Sequence, residues 1–342
     1  MFFSFMSFYV FLFKTHKKTQ LLKIPMNKND ETTCKNVCSR GILKSCNVHS
    51  FMPISSIKQL IHYDFSKMNN GDTLYICTSA IPFFSTIINK IINKYFILVS
   101  GDADEDCSVE LFSMFGSKQN EMFNSFINNQ FIIHWFSQNC RILNHPKISS
   151  MPIGLDYHTL SNNKNHQWGE MSCPLEQEQL LFQIKKNSLH FKDRLCLCYA
   201  NFHFCLHTKY ANDRICAMNE IAKNIVHYET SFVPRKKTWE NQSKMAFVIS
   251  PHGNGLDCHR TWEALALGCI PIVKTSPLNV LFEDLPVLIV ENWSFVTKDL
   301  LNDTIIQFSN KTFNYEKLTL THWTSQINNK KTNFHTTCNI II

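Results

Sequence analysis

Short, mostly apolar runs punctuate this chain at 73–77, 95–99, 131–135, 147–152, 194–199, 226–228, 246–250, 269–273 and 287–290. Each is near-continuous rather than alternating, as strands covered on both faces of a parallel sheet are. Between them lie stretches with helical spacing: 81–93 with Pro82 in the first turn, 120–128, 208–223 with Ile215, Met218 and Ile221 on one face, 238–244, 259–267, 297–308 and 315–327. Residues 51–65 carry Ile57, Leu60 and Ile61 at the same spacing. Strand followed by helix followed by strand is a βαβ unit, and such units build parallel sheets. Residues 14–50 are polar and lysine-rich and read as linker plus a short first element, and 159–190 are polar with an Asn162-Asn163-Lys164-Asn165 run. The expected organisation is therefore an apolar N-terminal extension at 1–25, an α/β domain at 26–170 and a second α/β domain at 171–342.

The densest pattern is residues 245–273, read as strand, glycine loop, helix, turn and strand. Pro251 lacks a ladder donor and ends the strand, Trp262, Leu265 and Ala266 share a helix face, and Gly268 ends the helix. His252-Gly253-Asn254-Gly255 presents backbone amides uncluttered at the two glycines and opens onto a helix N-terminus, where free N–H groups and the dipole favour an anion. A phosphate or diphosphate is the natural guest of Gly253, Asn254 and Gly255. Arg260, in the first turn, adds a forked charge, and Glu263, one turn on, is placed to accept from sugar hydroxyls. The plainer readings are a simple turn at the glycines, an i,i+3 surface pair of Arg260 with Glu263, an N-cap role for Asp257 and a core role for Trp262.

Arg260-x-Trp262-Glu263-Ala264-Leu265 followed by Gly268-Cys269-Ile270-Pro271-Ile272-Val273 resembles the donor-binding segment of exostosin-like glycosyltransferases, and more broadly the C-terminal half of GT-B transferases. The resemblance covers about thirty residues closely and the last half of the chain weakly. It implies two Rossmann-like domains facing a cleft, with parallel sheets and a nucleotide-sugar donor between them. It also implies that Glu263 contacts the donor nucleoside or sugar, and that the terminal helix packs back on the first domain. Many retaining GT-B enzymes carry a second glutamate eight residues earlier; Gly255 stands there, which leans towards inversion. The sugar stays open.

The rest of the chain supplies further candidates. The run at 95–99 ends in Ser100-Gly101-Asp102-Ala103-Asp104-Glu105-Asp106, and ligand sites in open α/β sheets lie at the carboxyl ends of strands. Asp102 is a candidate general base for the acceptor hydroxyl, His134 a second and Asp156 a third. The ordinary readings are a solvated acidic loop, a satisfied core histidine and a turn. Asp102-x-Asp104 also matches the metal signature of the GT-A transferase fold. Arg235 and Lys236 are candidates for the donor phosphates, against a solvated charge run.

The net charge of +7 suits an anionic small-molecule substrate, and no block of arginines interleaved with aromatics marks a nucleic-acid face. Fourteen cysteines are scattered without a C-x-x-C pair, so a metal site is not expected; Cys196 and Cys198 share a strand face as small hydrophobes, and free thiols fit a reducing compartment. Residues 1–13 are apolar but too few to span roughly 30 Å of hydrocarbon, leaving peripheral membrane contact through residues 1–18 or a dispensable extension as the alternatives. Four Asn-x-Ser/Thr matches are near chance in so asparagine-rich a chain. The expectation is a cytoplasmic, optionally membrane-associated glycosyltransferase with no cofactor, taking a nucleotide-sugar donor and a glycan, protein or small-molecule acceptor. The rivals are a metal-dependent GT-A enzyme using Asp102 and Asp104, and a non-catalytic nucleotide- or glycan-binding protein of the same fold.

Overall fold

The strands form where the apolar runs lie, and their side chains alternate between two covered faces. In the computed structural model, which describes residues 30–50, 60, 63–202, 207–229 and 231–339, they assemble into two sheets containing only parallel pairs. The first holds β1 (Asp72–Cys77), β2 (Phe96–Gly101), β3 (Ile132–Ser137) and β4 (Ile148–Ser150) in that spatial order. The second holds β5 (Leu195–Ala200), β6 (Val226–Tyr228), β7 (Met245–Ile249), β8 (Ile270–Lys274) and β9 (Leu288–Val290), ordered β6-β5-β7-β8-β9. The α/β class with parallel sheets is thus observed, and the layout is consistent with Rossmann-like folding.

The helices follow in chain order: α1 (Ser39–Lys44), α2 (Ile81–Ile91), α3 (Gln119–Ile127), α4 (His158–Asn162), α5 (Pro174–Lys186), α6 (Ala211–Glu220), α7 (Arg235–Gln242), α8 (His259–Ala266), α9 (Asn279–Phe282), α10 (Lys298–Ser309) and α11 (Leu320–Asn339). Three buried clusters organise the packing. Leu74, Ile76, Leu98 and Trp135 face α2 and α3 through Phe84, Phe123 and Phe126. Cys198, Phe247, Ile249 and Ile272 face α6 and α10 through Ala217 and Leu301. The third cluster is shared by both sheets: Tyr75, Ile97, Val99 and Phe136 of the first join Tyr199, Val248 and Val273 of the second, with Trp262 and Leu265 of α8 and Leu320, Trp323 and Ile327 of α11.

Helix α11 therefore contributes to the packing of the first sheet, contacting β1, β2, β3 and α1. The segment leading to it is stitched to the N-terminal region by Val37 N donating to Leu318 O at 2.8 Å and Leu320 N to Lys35 O at 2.8 Å. Helix α5 was not expected, because residues 159–190 read as polar. It carries its own start signals: Pro174 in the first turn, and a capping box of Cys173 with Glu176. Its buried Glu178 accepts from Lys35 N at 2.8 Å, Asn36 N at 2.8 Å and Tyr157 Oη at 3.2 Å. The helix expected at 238–244 begins instead at Arg235, directly after Pro234. Cys198 is buried and Cys196 packs beside it, as their alternation predicts. The apolar 1–25 segment and most of 51–65 lie outside the described residues; among those described, no helix is long and apolar enough to cross a membrane.

Candidate functional site

In the second sheet β5 and β7 are neighbours although β6 lies between them in sequence. The strand order reverses at that pair, and such a switch point opens a crevice outside the carboxyl ends of the strands. Two segments flank it. Residues 250–258 follow β7 and lead into α8; helix α6 follows β5.

The loop after β7 is held tightly. Gly253 N donates to Gly255 O at 3.0 Å and His252 N donates to the Asp213 carboxylate at 2.9 Å. A Cβ on Gly253 would sit 2.9 Å from Cys258 Sγ, and one on Gly255 would sit 2.6 Å from Asn139 Nδ2. A side chain at either glycine would therefore force its neighbour to shift. The Gly253 amide is taken within the loop, while Asn254 is exposed at its tip. Among the described residues, the amides of Asn254, Gly255 and Leu256 in the loop and of His259 and Arg260 in the first turn of α8 have no acceptor.

Two guanidiniums converge on that turn. Arg260 is half-buried, with Nη1 donating weakly to Ser250 Oγ at 3.4 Å and Pro251 O at 3.3 Å, and its charge lies over the Phe202 ring at 5.5 Å. Arg214, from α6, is buried and donates through Nε to His252 O at 3.2 Å. Burial, with Arg214 close by, pushes the Arg260 guanidinium below its usual range. Two neighbouring cations at a helix N-terminus favour an anion strongly. Sequence reasoning missed Arg214, because nothing local links a mid-helix arginine to a loop some forty residues on.

Glu263 and Arg235 are close together, but they are spoken for. Arg235 Nη2 donates to Glu263 Oε1 at 3.0 Å, and its Nη1 donates to Asp156 O at 2.6 Å and Gln177 Oε1 at 3.0 Å. Its guanidinium carbon lies 4.5 Å from the Trp168 ring centroid and 5.3 Å from that of Trp239, whose Nε1 donates to Glu263 Oε2 at 3.3 Å. Both residues are buried, so Arg235 is a cross-link between α7, α8 and the segment after β4, not a free phosphate ligand. Glu263 likewise spends both oxygens on protein donors. Lys236 points elsewhere: it is exposed and lines a groove of about 780 Å³ with Leu180 and Ile184 of α5 and Glu240 of α7.

The carboxyl end of the first sheet comes against this region. Asp257 N donates to Asn139 Oδ1 at 2.8 Å, Ile153 N donates to Asp257 Oδ2 at 2.7 Å, and His259 Nδ1 lies 2.7 Å from Gly154 O. A carbonyl only accepts, so His259 carries its proton on Nδ1. Asp257 also takes Cys258 N and the Trp262 indole, and is buried; it braces the loop rather than standing open to a ligand. Asp102, just past β2 at φ 53°, faces Arg40 at 3.9 Å; burial pushes its carboxyl up, against the pull of Arg40 and His259. Asp104 is exposed.

Asp156 accepts from Thr159 N at 2.9 Å and Thr159 Oγ1 at 2.7 Å, and lies 3.2 Å from His158 Nδ1 and 3.8 Å from Arg235 Nη2. Burial would raise its carboxyl, but His158, His259, Arg235 and Thr159 outweigh it and hold it well below the usual range. The His158 and His259 rings meet edge to face, with centroids 5.9 Å apart. Asp102, Asp156, His158, His259 and Arg40 thus form one electrostatically linked group beside the head of α8. His134 is not part of it. It sits inside β3 with Nε2 at 2.8 Å from Ser149 Oγ, on the face turned to α11, and burial with Lys330 lowers it to about 4. It is the satisfied core histidine. Among the described residues no group of three or more His, Cys, Asp or Glu is placed to hold a metal ion.

Comparison with known proteins returns no match: no protein-family model fits the chain, and no curated protein matches it.

Proposed function

We propose that this chain is a glycosyltransferase of the two-domain type, moving a sugar from a nucleotide-sugar donor to an acceptor hydroxyl with inversion, its two sheets forming lobes that face a common cleft. One observation carries the reading: Arg214 and Arg260 converge at the head of α8, at the switch point of the second sheet. A donor diphosphate seated on the His259 and Arg260 amides would be neutralised from both sides. Negative charge grows on that diphosphate as the glycosidic bond breaks, so these groups stabilise the transition state more than the ground state. Glu263 and Arg235 would act behind them, fixing α8 against α7.

The presence of two separate parallel sheets, with Asp102 turned to Arg40 and Asp104 solvent-exposed, supports this layout over a single-sheet enzyme holding a metal on Asp102 and Asp104. A thermal-shift panel of nucleotide-sugars tests the reading, because a ligand that binds only the native state raises Tm. One donor class should raise Tm, and Arg260→Ala should weaken that donor's binding at least tenfold. A panel without any shift, or an Arg260→Ala protein that binds as the parent does, would overturn it.

A further inference from the structure

Inversion needs a base on the acceptor side, and neither Asp156 nor His134 is free to serve: the Asp156 carboxylate is committed to Thr159 and His158, and His134 is sealed inside β3. We propose that His158 is the general base and that Asp156 is its positioning residue. The inference rests on the glycosyltransferase reading and goes beyond it by naming the proton acceptor.

Four observations converge on His158. It opens α4, immediately after the segment at the carboxyl end of β4. Its Nδ1 lies 3.2 Å from Asp156 Oδ1, so the carboxylate favours the tautomer protonated on Nδ1 and leaves the lone pair on Nε2. Nε2 has no hydrogen-bond partner among the described residues, and the side chain is 20% exposed, so a substrate can reach it. The ring meets that of His259, the first residue of the helix whose head carries the two guanidiniums. Every group shown to act on His158 is accounted for: burial lowers the imidazole to about 4, Asp156 pulls it up, and Arg40, His259 and Arg235 push it down. The ring is therefore neutral at neutral pH.

His259 is the obvious rival, and two features set it aside. Its Nδ1 is spent on Gly154 O. No carboxylate lies within ion-pair distance of it among the described residues, whereas Asp156 stabilises the imidazolium that forms on His158. In the reaction the acceptor O–H proton passes to His158 Nε2 as the acceptor oxygen bonds to the anomeric carbon. The bond from that carbon to the phosphate oxygen breaks, and its electron pair leaves with the nucleoside diphosphate. Solvent then takes the proton.

The experiment compares His158→Gln, His158→Ala, Asp156→Asn and His259→Gln in the full chain, after the donor class has been found by thermal shift. Both His158 variants should lose roughly 100-fold or more in kcat, with the donor-induced rise in Tm unchanged, and added imidazole should restore part of the His158→Ala rate. Asp156→Asn should lower kcat with KM little altered and move the acid limb of the pH profile to lower pH, because the imidazolium has lost its carboxylate. Transfer within tenfold of the parent in a folded His158→Gln protein overturns the assignment, as does loss of transfer in His259→Gln alone. Should one His158 variant fail to fold, the other and the Asp156→Asn profile decide. Absence of any donor binding by the parent chain would instead strike the glycosyltransferase reading itself.

Discussion

Replacing Arg235 by methionine removes a buried charge while keeping most of the side chain's volume. Three hydrogen bonds go with it, to Asp156 O, Gln177 Oε1 and Glu263 Oε1, together with the contacts to the Trp168 and Trp239 rings. The larger consequence is what remains. Glu263 keeps only the Trp239 indole as a donor, in a place where it is 9% exposed. Breaking a buried ion pair from one side costs about 3–5 kcal/mol, because a charge is left without its partner. Unfolding entropy near 2.1 cal/mol/K per residue over 342 residues turns that into a fall of about 4–7 °C in Tm if the chain melts as one unit. Glu263→Gln added to Arg235→Met should recover at least ~1 kcal/mol, since the stranded charge disappears. Calorimetry without ligand is the assay. A change below about 1 kcal/mol, paired with loss of nucleotide-sugar binding, would mean that Arg235 grips a ligand and not Glu263, and the cross-link argument would fail.

Two other perturbations follow from the same geometry. His134 titrates near 4 when folded against 6.5 when free, so the unfolded chain binds the extra proton between those values; stability is full above pH 6.5 and falls by roughly 3 kcal/mol as pH drops to 4. His134→Gln should flatten that part of a urea-denaturation pH series, and an unchanged slope would contradict the buried, neutral imidazole. Gly255→Ala drives a methyl to 2.6 Å from Asn139 Nδ2. It should cost about 1–3 kcal/mol, with partial recovery when Asn139→Ala is added, as read by thermal unfolding; additive losses would show that the two residues do not meet.

Much of the fold could be read from apolar runs alone. The run at 95–99 has no polar position in five residues, and it became a strand with both neighbours in place. Helix α5 escaped notice because Glu176, Gln177, Glu178 and Gln179 dominate its first turns, and because Glu178 is buried by long-range amides that no local pattern announces. The site was legible in part. The spacing around Gly253 and Gly255 marked a tight loop before a helix, since steric need for glycine is a local property. Arg235, Lys236 and Lys237 form a run in sequence, yet only a three-dimensional neighbour such as Glu263 separates the cation that turns inward from those that stay in solvent. Arg214 was invisible for the same reason, and His158, though two residues from Asp156, meets the head of α8 only through the distant His259.

The packing of α11 against the first sheet has a consequence for how the chain is made. Residues 320–327 cover Ile97, Val99 and Phe136, yet they lie some 170 positions after β4 ends at Ser150. At synthesis rates of about 5–20 residues per second, that sheet waits roughly ten to thirty seconds on the ribosome with one greasy side unfinished. The first sheet is thus completed only after the strands of the second have been made, so its nascent state is the stage at which chaperone capture and aggregation compete.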